Sequence, residues 1–314
     1  MQPTFDETDL TTSPAAAALT TPASTSDTTP QQLAATIAAE SGCSVLQAQD
    51  SIQRMAHSLD ELERLADLLA VQDGYEPASR DFVVPRGFKL SVVIPVYNEQ
   101  PTIQQVIANV TALPIPKEII IVDDASTDGT RQLLSQYEAA RDFQIIFKPQ
   151  NEGKGAALRT GFRRVTGDVV VVQDADLEYD PRDILTVVRP IVAGKADVVY
   201  GSRFLDNHPQ DRSFIHRWGN RVLTKLSNLT TGLDISDMET GYKAFRREVI
   251  KSFEIQQPRF GFEPEVTARI ARRKYRLYEV PIRYSPRGYA QGKKIGLADL
   301  FSTLYCILRY AVAD

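Results

Sequence analysis

The sequence predicts an α/β domain with a mostly parallel central sheet, preceded by a small N-terminal helical segment. Three observations carry that prediction. Runs such as Ile119-Ile120-Ile121-Val122 and Val169-Val170-Val171-Val172 show no polar alternation, as in strands covered on both faces. They alternate with amphipathic stretches of helical period, the rhythm of a doubly wound sheet. Carboxylate-rich segments follow directly after the apolar runs, where such sheets bind ligands.

Residues 1–30 are dominated by Thr, Ala, Ser and Pro and hold too little apolar bulk to offset the entropy of ordering, so they read as a disordered tail. Across 31–72, Leu33, Ile37, Val45, Ile52, Met55, Leu59, Leu62, Leu65 and Leu69 recur at roughly helical spacing. Ser58 and Glu61 match a capping box that opens the last helix there. This segment is either a packed appendage or a surface for a protein partner. Residues 73–88, with Gly74, Pro77, Pro85 and Gly87, read as a linker.

The main domain spans 89–296, with strands at 90–95, 118–122, 144–147 and 169–172 and a helix over 102–113. Residues 297–314 form a C-terminal amphipathic helix, on which Leu297, Leu300, Phe301, Leu304, Tyr305, Ile307, Leu308 and Val312 fall at helical spacing. Its apolar face could pack on the domain. With Lys293, Lys294 and Arg309 nearby, it could also lie in a membrane interface.

Composition narrows the class. At 314 residues and 43% hydrophobic content, the chain can bury a substantial core without staples. Cys43 and Cys306 match no metal or redox spacing, which points to packing roles and a reducing compartment. Residues 1–80 hold 12 acidic and 3 basic side chains, and residues 81–314 hold 28 and 33, so the body is net +5. That suits an anionic ligand or an anionic membrane surface, and is too scattered for nucleic acid. No run reaches the roughly 18–20 apolar residues of a membrane span, and Asp6, Glu7 and Asp9 occupy the place of a signal peptide's basic start. The expected location is the cytoplasm, with a peripheral place on the membrane's cytoplasmic face if a lipid is the acceptor.

After the first predicted strand stands Pro95-Val96-Tyr97-Asn98-Glu99, and after the second Asp123-Asp124-Ala125-Ser126-Thr127-Asp128-Gly129-Thr130. A carboxylate there can accept from a base N–H or a ribose hydroxyl, and Tyr97 can lie against a flat ring. Each could equally be a turn with a helix cap. The segment Asn151-Glu152-Gly153-Lys154-Gly155-Ala156-Ala157 leads into a helix and could receive phosphate oxygens, but it lacks the Walker pattern. The strongest signal is Asp174-Ala175-Asp176, followed by Glu178 and Asp180. Such a cluster at the open end of a buried strand is either a solvated acidic loop or a site neutralised by a hard cation, Mg2+ or Mn2+.

These segments, in this order at successive strand ends, resemble the family 2 glycosyltransferases with their GT-A nucleotide-sugar-binding fold. Further on, Val198-Val199-Tyr200-Gly201-Ser202-Arg203-Phe204, Asp237-Met238-Glu239-Thr240-Gly241-Tyr242-Lys243-Ala244-Phe245 and Arg259-Phe260-Gly261-Phe262-Glu263-Pro264-Glu265 are similar to the polyprenol-phosphate branch, typified by dolichol-phosphate mannosyltransferase. The resemblance covers about residues 89–296. It implies that Pro95, Tyr97, Glu99, Val122 and Asp124, with Asp123 as a lesser candidate, hold the nucleotide, joined by Lys154 and Ala175. It implies that Asp174 and Asp176 bind metal and diphosphate. Glu178, standing where many members of the branch have Gln, becomes a further metal ligand. Arg203 and Lys294, with Lys293 as the alternative, fall near the phosphates, and Arg217 and Arg221 near an acceptor phosphate.

The activity so implied is inverting, metal-dependent transfer of a hexose from a UDP- or GDP-sugar to a polyprenyl phosphate. A phosphate acceptor is already anionic and needs no general base. A hydroxyl acceptor, on a soluble glycan or a protein, would need one, and Asp237 or Glu239 are the candidates. A non-catalytic nucleotide-sugar-binding scaffold is the remaining alternative, and the complete carboxylate cluster argues against it.

Overall fold

A computed structural model describes residues 35, 38–39, 44–51 and 53–54 of an N-terminal unit and residues 83–205, 214–259, 261–286 and 297–312 of the main unit, the side chains of 214–217, 297–301 and 312 excepted. The chain divides into Met1–Pro77 and Ala78–Asp314. The expected tail over 1–30, the Ser58–Glu61 capping box and most of the 73–88 linker lie outside the described residues, as do Lys293 and Lys294. In the N-terminal unit a capping box does form at Ser44. Its hydroxyl accepts from Gln47 N at 3.3 Å, and the Gln47 carboxamide oxygen accepts from Ser44 N at 3.0 Å, which satisfies two otherwise orphaned donors.

The main unit runs β1 (Leu90–Val96), α1 (Ile103–Thr111), β2 (Lys117–Asp123), α2 (Thr130–Ser135), β3 (Phe143–Phe147), α3 (Lys154–Arg164), β4 (Val169–Val172), a 3-10 turn (Pro181–Asp183), α4 (Ile184–Val192), β5 (Val198–Ser202), α5 (Phe214–Thr231), β6 (Lys243–Arg246), α6 (Arg247–Lys251), α7 (Phe262–Arg272), β7 (Leu277–Pro281) and α8 (Leu297–Val312). The seven strands form one sheet ordered β3-β2-β1-β4-β6-β5-β7. All neighbours are parallel except β6, which runs antiparallel between β4 and β5.

The unalternating apolar runs follow from coverage on both faces. Val92, Ile94, Ile119, Ile121 and Val171 pack with Ile103, Val106 and Val110 of α1 and with Ile184, Val187 and Val188 of α4. Their neighbours Val93, Ile120, Val122, Val170 and Val172 point the other way, onto Ala157, Leu158 and Phe162 of α3 and Phe262 and Val266 of α7. The period-2 pleat thus sends consecutive side chains into different cores, and both positions must be apolar. Helix α3 lies close to the sheet because Gly161 has no side chain. A Cβ there would meet Val93 Cγ1 at 2.5 Å.

Helix α8 uses part of its apolar face inward. Cys306 and Tyr310 pack on Ala268 of α7, and Ile307 joins the second core. Gln257 donates to the Tyr310 hydroxyl at 3.0 Å. No described helix is long and apolar enough to cross a membrane.

Candidate active site

Strands β1, β2 and β4 are parallel neighbours, so their carboxyl ends open on the same edge, and each delivers one predicted segment there. Three of the four described non-glycine residues with positive φ sit in these loops: Asn98 (55°), Ala125 (64°) and Leu177 (59°). Left-handed backbone costs a side-chain-bearing residue roughly 1–2 kcal/mol, and such strain persists where the surroundings over-determine it. The lacing is visible. Asn98 N donates to Ser126 Oγ at 2.9 Å, and Thr127 N donates back to Asn98 Oδ1 at 2.8 Å. The Thr102 hydroxyl donates to the Ala175 carbonyl at 2.7 Å, tying the β1 loop to the one after β4.

Pro95 and Val122 are register partners on β1 and β2, and Tyr97 projects as an exposed ring beyond them. Glu99 N donates to Thr130 Oγ1 at 3.0 Å. The two aspartates of the β2 end are structural anchors. Buried Asp123 pairs with Arg131 Nε at 2.6 Å and accepts from Ser126 N at 3.2 Å. Buried Asp124 pairs with Lys148 and accepts from Gly153 N at 2.6 Å and Glu152 N at 3.1 Å. Asp124 therefore fastens the loop that leads into α3, and a nucleotide contact there has to share an oxygen already engaged. Gly153 can be only glycine, because its φ is +97° and a Cβ would lie 2.7 Å from the Pro258 carbonyl oxygen.

Lys154, the first residue of α3, reaches across to the loop after β4. Its ammonium lies 2.9 Å from Asp174 Oδ1 and 3.4 Å from Glu263 Oε1. Burial alone would lower its pKa, but the Asp174 and Glu263 carboxylates outweigh that and hold the ammonium well above the ordinary lysine value. The ammonium also donates to Asp174 Oδ2 at 3.1 Å, and Gly241 leaves room for that oxygen, because an added Cβ would sit 2.2 Å from it. Asp176 accepts from Glu178 N at 3.1 Å. The Glu178 carboxylate accepts from the Tyr284 hydroxyl at 2.9 Å, and Tyr284 packs on Tyr179, which stacks on Tyr242 at 4.9 Å. Among the described residues no three carboxylates are gathered around one point, so Asp174, Asp176 and Glu178 do not form a ready cage. Two hard-oxygen ligands on one short loop still suit Mg2+ or Mn2+, which are held by one or two carboxylates plus phosphate and water.

Arg203, predicted near the phosphates, is engaged as a fork on Asp237: Nε to Oδ2 and Nη2 to Oδ1, both at 2.7 Å. Arg203 N donates to Oδ2 as well at 3.1 Å, and Asn220 Nδ2 adds a fourth bond, to Oδ1, at 3.0 Å. Burial would raise the Asp237 pKa, but Arg203 and Asn220 hold it below the usual carboxylate value. Asp237 is thereby a poor proton acceptor, and of the two predicted base candidates Glu239 is the one left available. Burial, reinforced by the Glu263 carboxylate, pushes the Glu239 carboxyl up to about 8, against the pull of Lys243 and Arg203. Its Oε1 and Glu263 Oε2 have no hydrogen-bond partner among the described residues. Arg221 is exposed on α5. The side chains of Arg217 and Lys294 lie outside the described atoms.

Sequence reasoning missed Glu263 and Lys243 as parts of this site. Lys243 is fully buried, donates to the carbonyls of Met238 (2.8 Å) and Thr240 (2.6 Å), and lies over the Tyr200 ring. A lysine at the start of the short strand β6, directly before the apolar pair Ala244-Phe245, was the available signal.

The family model described as Glycosyl transferase family 2 matches residues 91–253. Among solved structures, glucosyl-3-phosphoglycerate synthase from Mycobacterium tuberculosis, in complex with Mn2+, UDP and phosphoglyceric acid, is 22% identical, with a TM-score of 0.58 over 73% of this chain and 80% of that one. The same synthase with Mg2+ and UDP is 21% identical, with a TM-score of 0.57 over 73% and 81%. A further structure, described as a mycobacterial protein, is 23% identical with a TM-score of 0.56 over 73% and 76%. What these chains share with the present one is the fold.

Proposed function

Because the chain belongs to glycosyl transferase family 2, we propose that it moves a hexose from a UDP- or GDP-sugar to a polyprenyl phosphate, with inversion, using Mg2+ or Mn2+ at Asp174 and Asp176. The observation that carries this reading is the placement of Asp174-Ala175-Asp176 at the carboxyl end of the fully buried β4, with the Lys154 ammonium already 2.9 Å from Asp174. The structural neighbours with Mn2+ or Mg2+ and UDP support the choice of ion and of a nucleoside diphosphate.

An acceptor phosphate oxygen attacks the anomeric carbon. That C–O bond forms as the bond to the diphosphate oxygen breaks, and the electron pair leaves with the nucleoside diphosphate. No proton has to move. When bound, the ion supplies Lewis-acid charge to the leaving group. Lys154 adds a fixed cation beside it, of the preorganised kind that does not reorganise during reaction. Asp124 holds the loop from which Lys154 reaches, and the missing side chain of Gly241 leaves the space that Asp174 Oδ2 occupies. Arg217 and Arg221, one helical turn apart on α5, are the candidates for the acceptor phosphate.

A second reading, transfer to a hydroxyl, is favoured by Glu239, whose Oε1 has no hydrogen-bond partner among the described residues and whose pKa is raised. There the hydroxyl proton passes to Oε1 as the glycosidic bond forms. The test is nucleoside diphosphate release from a panel of UDP- and GDP-sugars with Mn2+ or Mg2+, with and without a short polyprenyl phosphate, and with Asp176→Ala as control. Release that needs metal, lipid phosphate and Asp176 supports the first reading. Release stimulated by hydroxyl acceptors and lost in Glu239→Gln supports the second. Failure to bind any donor overturns both.

A further inference from the structure

Helix α5 has two faces of opposite character. Leu223 joins the second core, and Thr224 Oγ1 accepts from Met238 N at 3.2 Å, so this side is packed on the domain. The other side is apolar and open: Trp218 is 62% exposed and Leu229 82%, with Val222 also exposed between them. At 3.6 residues per turn, Trp218, Val222, Lys225 and Leu229 fall within an arc of about 60°. Lys225 and Arg221 are exposed on or beside that arc, and the whole span Phe214–Thr231 contains no carboxylate. Helix α8, which packs beside α5, turns Tyr305, Leu308 and Arg309 outward while Cys306 and Tyr310 face in.

Large exposed apolar side chains arranged in one stripe are uncommon on soluble surfaces and mark interaction sites. The chemistry of this stripe selects the partner. Trp and Tyr favour the boundary between water and hydrocarbon, lysine and arginine snorkel to headgroups, and cations on a helix that has no carboxylate of its own complement a negative surface. We propose that the outward face of α5, with Tyr305 and Leu308 of α8, is a docking surface for an anionic lipid bilayer, and that the domain binds there peripherally. The proposal deepens the lipid-acceptor reading by naming the contacting surface. Its test uses vesicles free of polyprenyl phosphate, so the two can fail separately.

Trp218 is the single tryptophan of the chain, so its emission reads this face alone. The full-length protein is titrated with phosphatidylcholine vesicles, with and without phosphatidylglycerol, and the same mixtures are sedimented. The expected result is a blue shift and co-sedimentation with the anionic vesicles alone, weakened by salt. Lys225→Gln should weaken binding about fivefold, the worth of one cation near such a surface. Val222→Asp with Leu229→Asp should abolish it, while thermal unfolding and donor binding stay as in the wild type. No shift and no sedimentation at low salt overturns the proposal. So does an emission already blue-shifted without vesicles, whether it depends on protein concentration, which would mean that a second copy covers the stripe, or not, which would mean that residues 1–77 cover it.

Discussion

Replacing Gly241 by alanine tests whether Asp174 must sit where it does. The new Cβ would lie 2.2 Å from Asp174 Oδ2 and 2.9 Å from Tyr179 Cε2. A carbon and an oxygen in contact stay about 3.3 Å apart, so one of them has to move by about 1.1 Å. The backbone at 241 is pinned, because Gly241 N donates to Tyr179 Oη at 2.9 Å and the next residue's carbonyl accepts from Gly201 N at 2.9 Å. The carboxylate is the softer party, and its displacement also pulls on Lys154. A misplacement of about 1 Å in a catalytic group costs about 100-fold, equivalent to about 2.7 kcal/mol of barrier. The assay is nucleoside diphosphate release from the donor the wild type accepts, beside calorimetric binding of the metal–nucleotide complex and a thermal melt. Expected are a roughly 100-fold loss of release and weakened metal-dependent binding in a protein that still unfolds cooperatively. Release within twofold of wild type would refute the reasoning, since the carboxylate would then tolerate a displaced position.

Glu265 is fully buried and accepts from Gln256 N (2.8 Å), Gln257 N (2.7 Å) and Arg269 Nε (3.0 Å); Glu265→Ala should cost about 3–5 kcal/mol by leaving its partners unpaired, a drop of about 10 °C in Tm, measured by calorimetry. For Glu118, burial raises the pKa, but bonds from Ser91, Thr166 and Lys89 win and hold it at about 2. A depressed acid stabilises the fold above its unfolded value near 4.5 and loses that contribution as pH falls toward 2, so Glu118→Gln should flatten the decline of Tm between pH 5 and 3. If the acceptor is a hydroxyl, turnover should climb as pH rises through about 8, where Glu239 gives up its proton. Glu239→Gln should remove that limb of the pH–rate profile, and a phosphate acceptor should show no such limb.

Much of the architecture was legible because the sheet is covered on both sides: a strand such as Val169–Val172 can be nothing but apolar, and the polar residues after it can only be at its end. The expected strand 118–122 fell one residue short at each end of β2, Lys117–Asp123, since buried Asp123 is held by Arg131, a partner eight residues on that no strand pattern announces. The same blindness applies to the site. Carboxylates at strand ends can be read off one by one, but their assignments depend on cations from distant elements: Lys148 on Asp124, Lys154 on Asp174, Arg203 on Asp237. Glu178 drew attention as a carboxylate in an acidic loop, and its turn toward Tyr284, more than a hundred residues away in the chain, was beyond reach of spacing arguments. Glu239 and Asp237, two residues apart, were interchangeable in the sequence and are separated only by who their neighbours are.

The antiparallel strand β6 gives this domain an awkward history each time it is made. Residues 243–246 belong between β4 and β5, yet they leave the ribosome about seventy residues after Val172. Until they arrive, the four-valine edge of β4 has no partner on that side. Bare apolar strand edges recruit other chains, and slow, long-range pairing prolongs the exposure. Chains truncated before residue 243 should therefore aggregate, and those reaching past residue 246 should be the first to stay soluble, which makes β6 the step that commits the nascent polypeptide to its sheet.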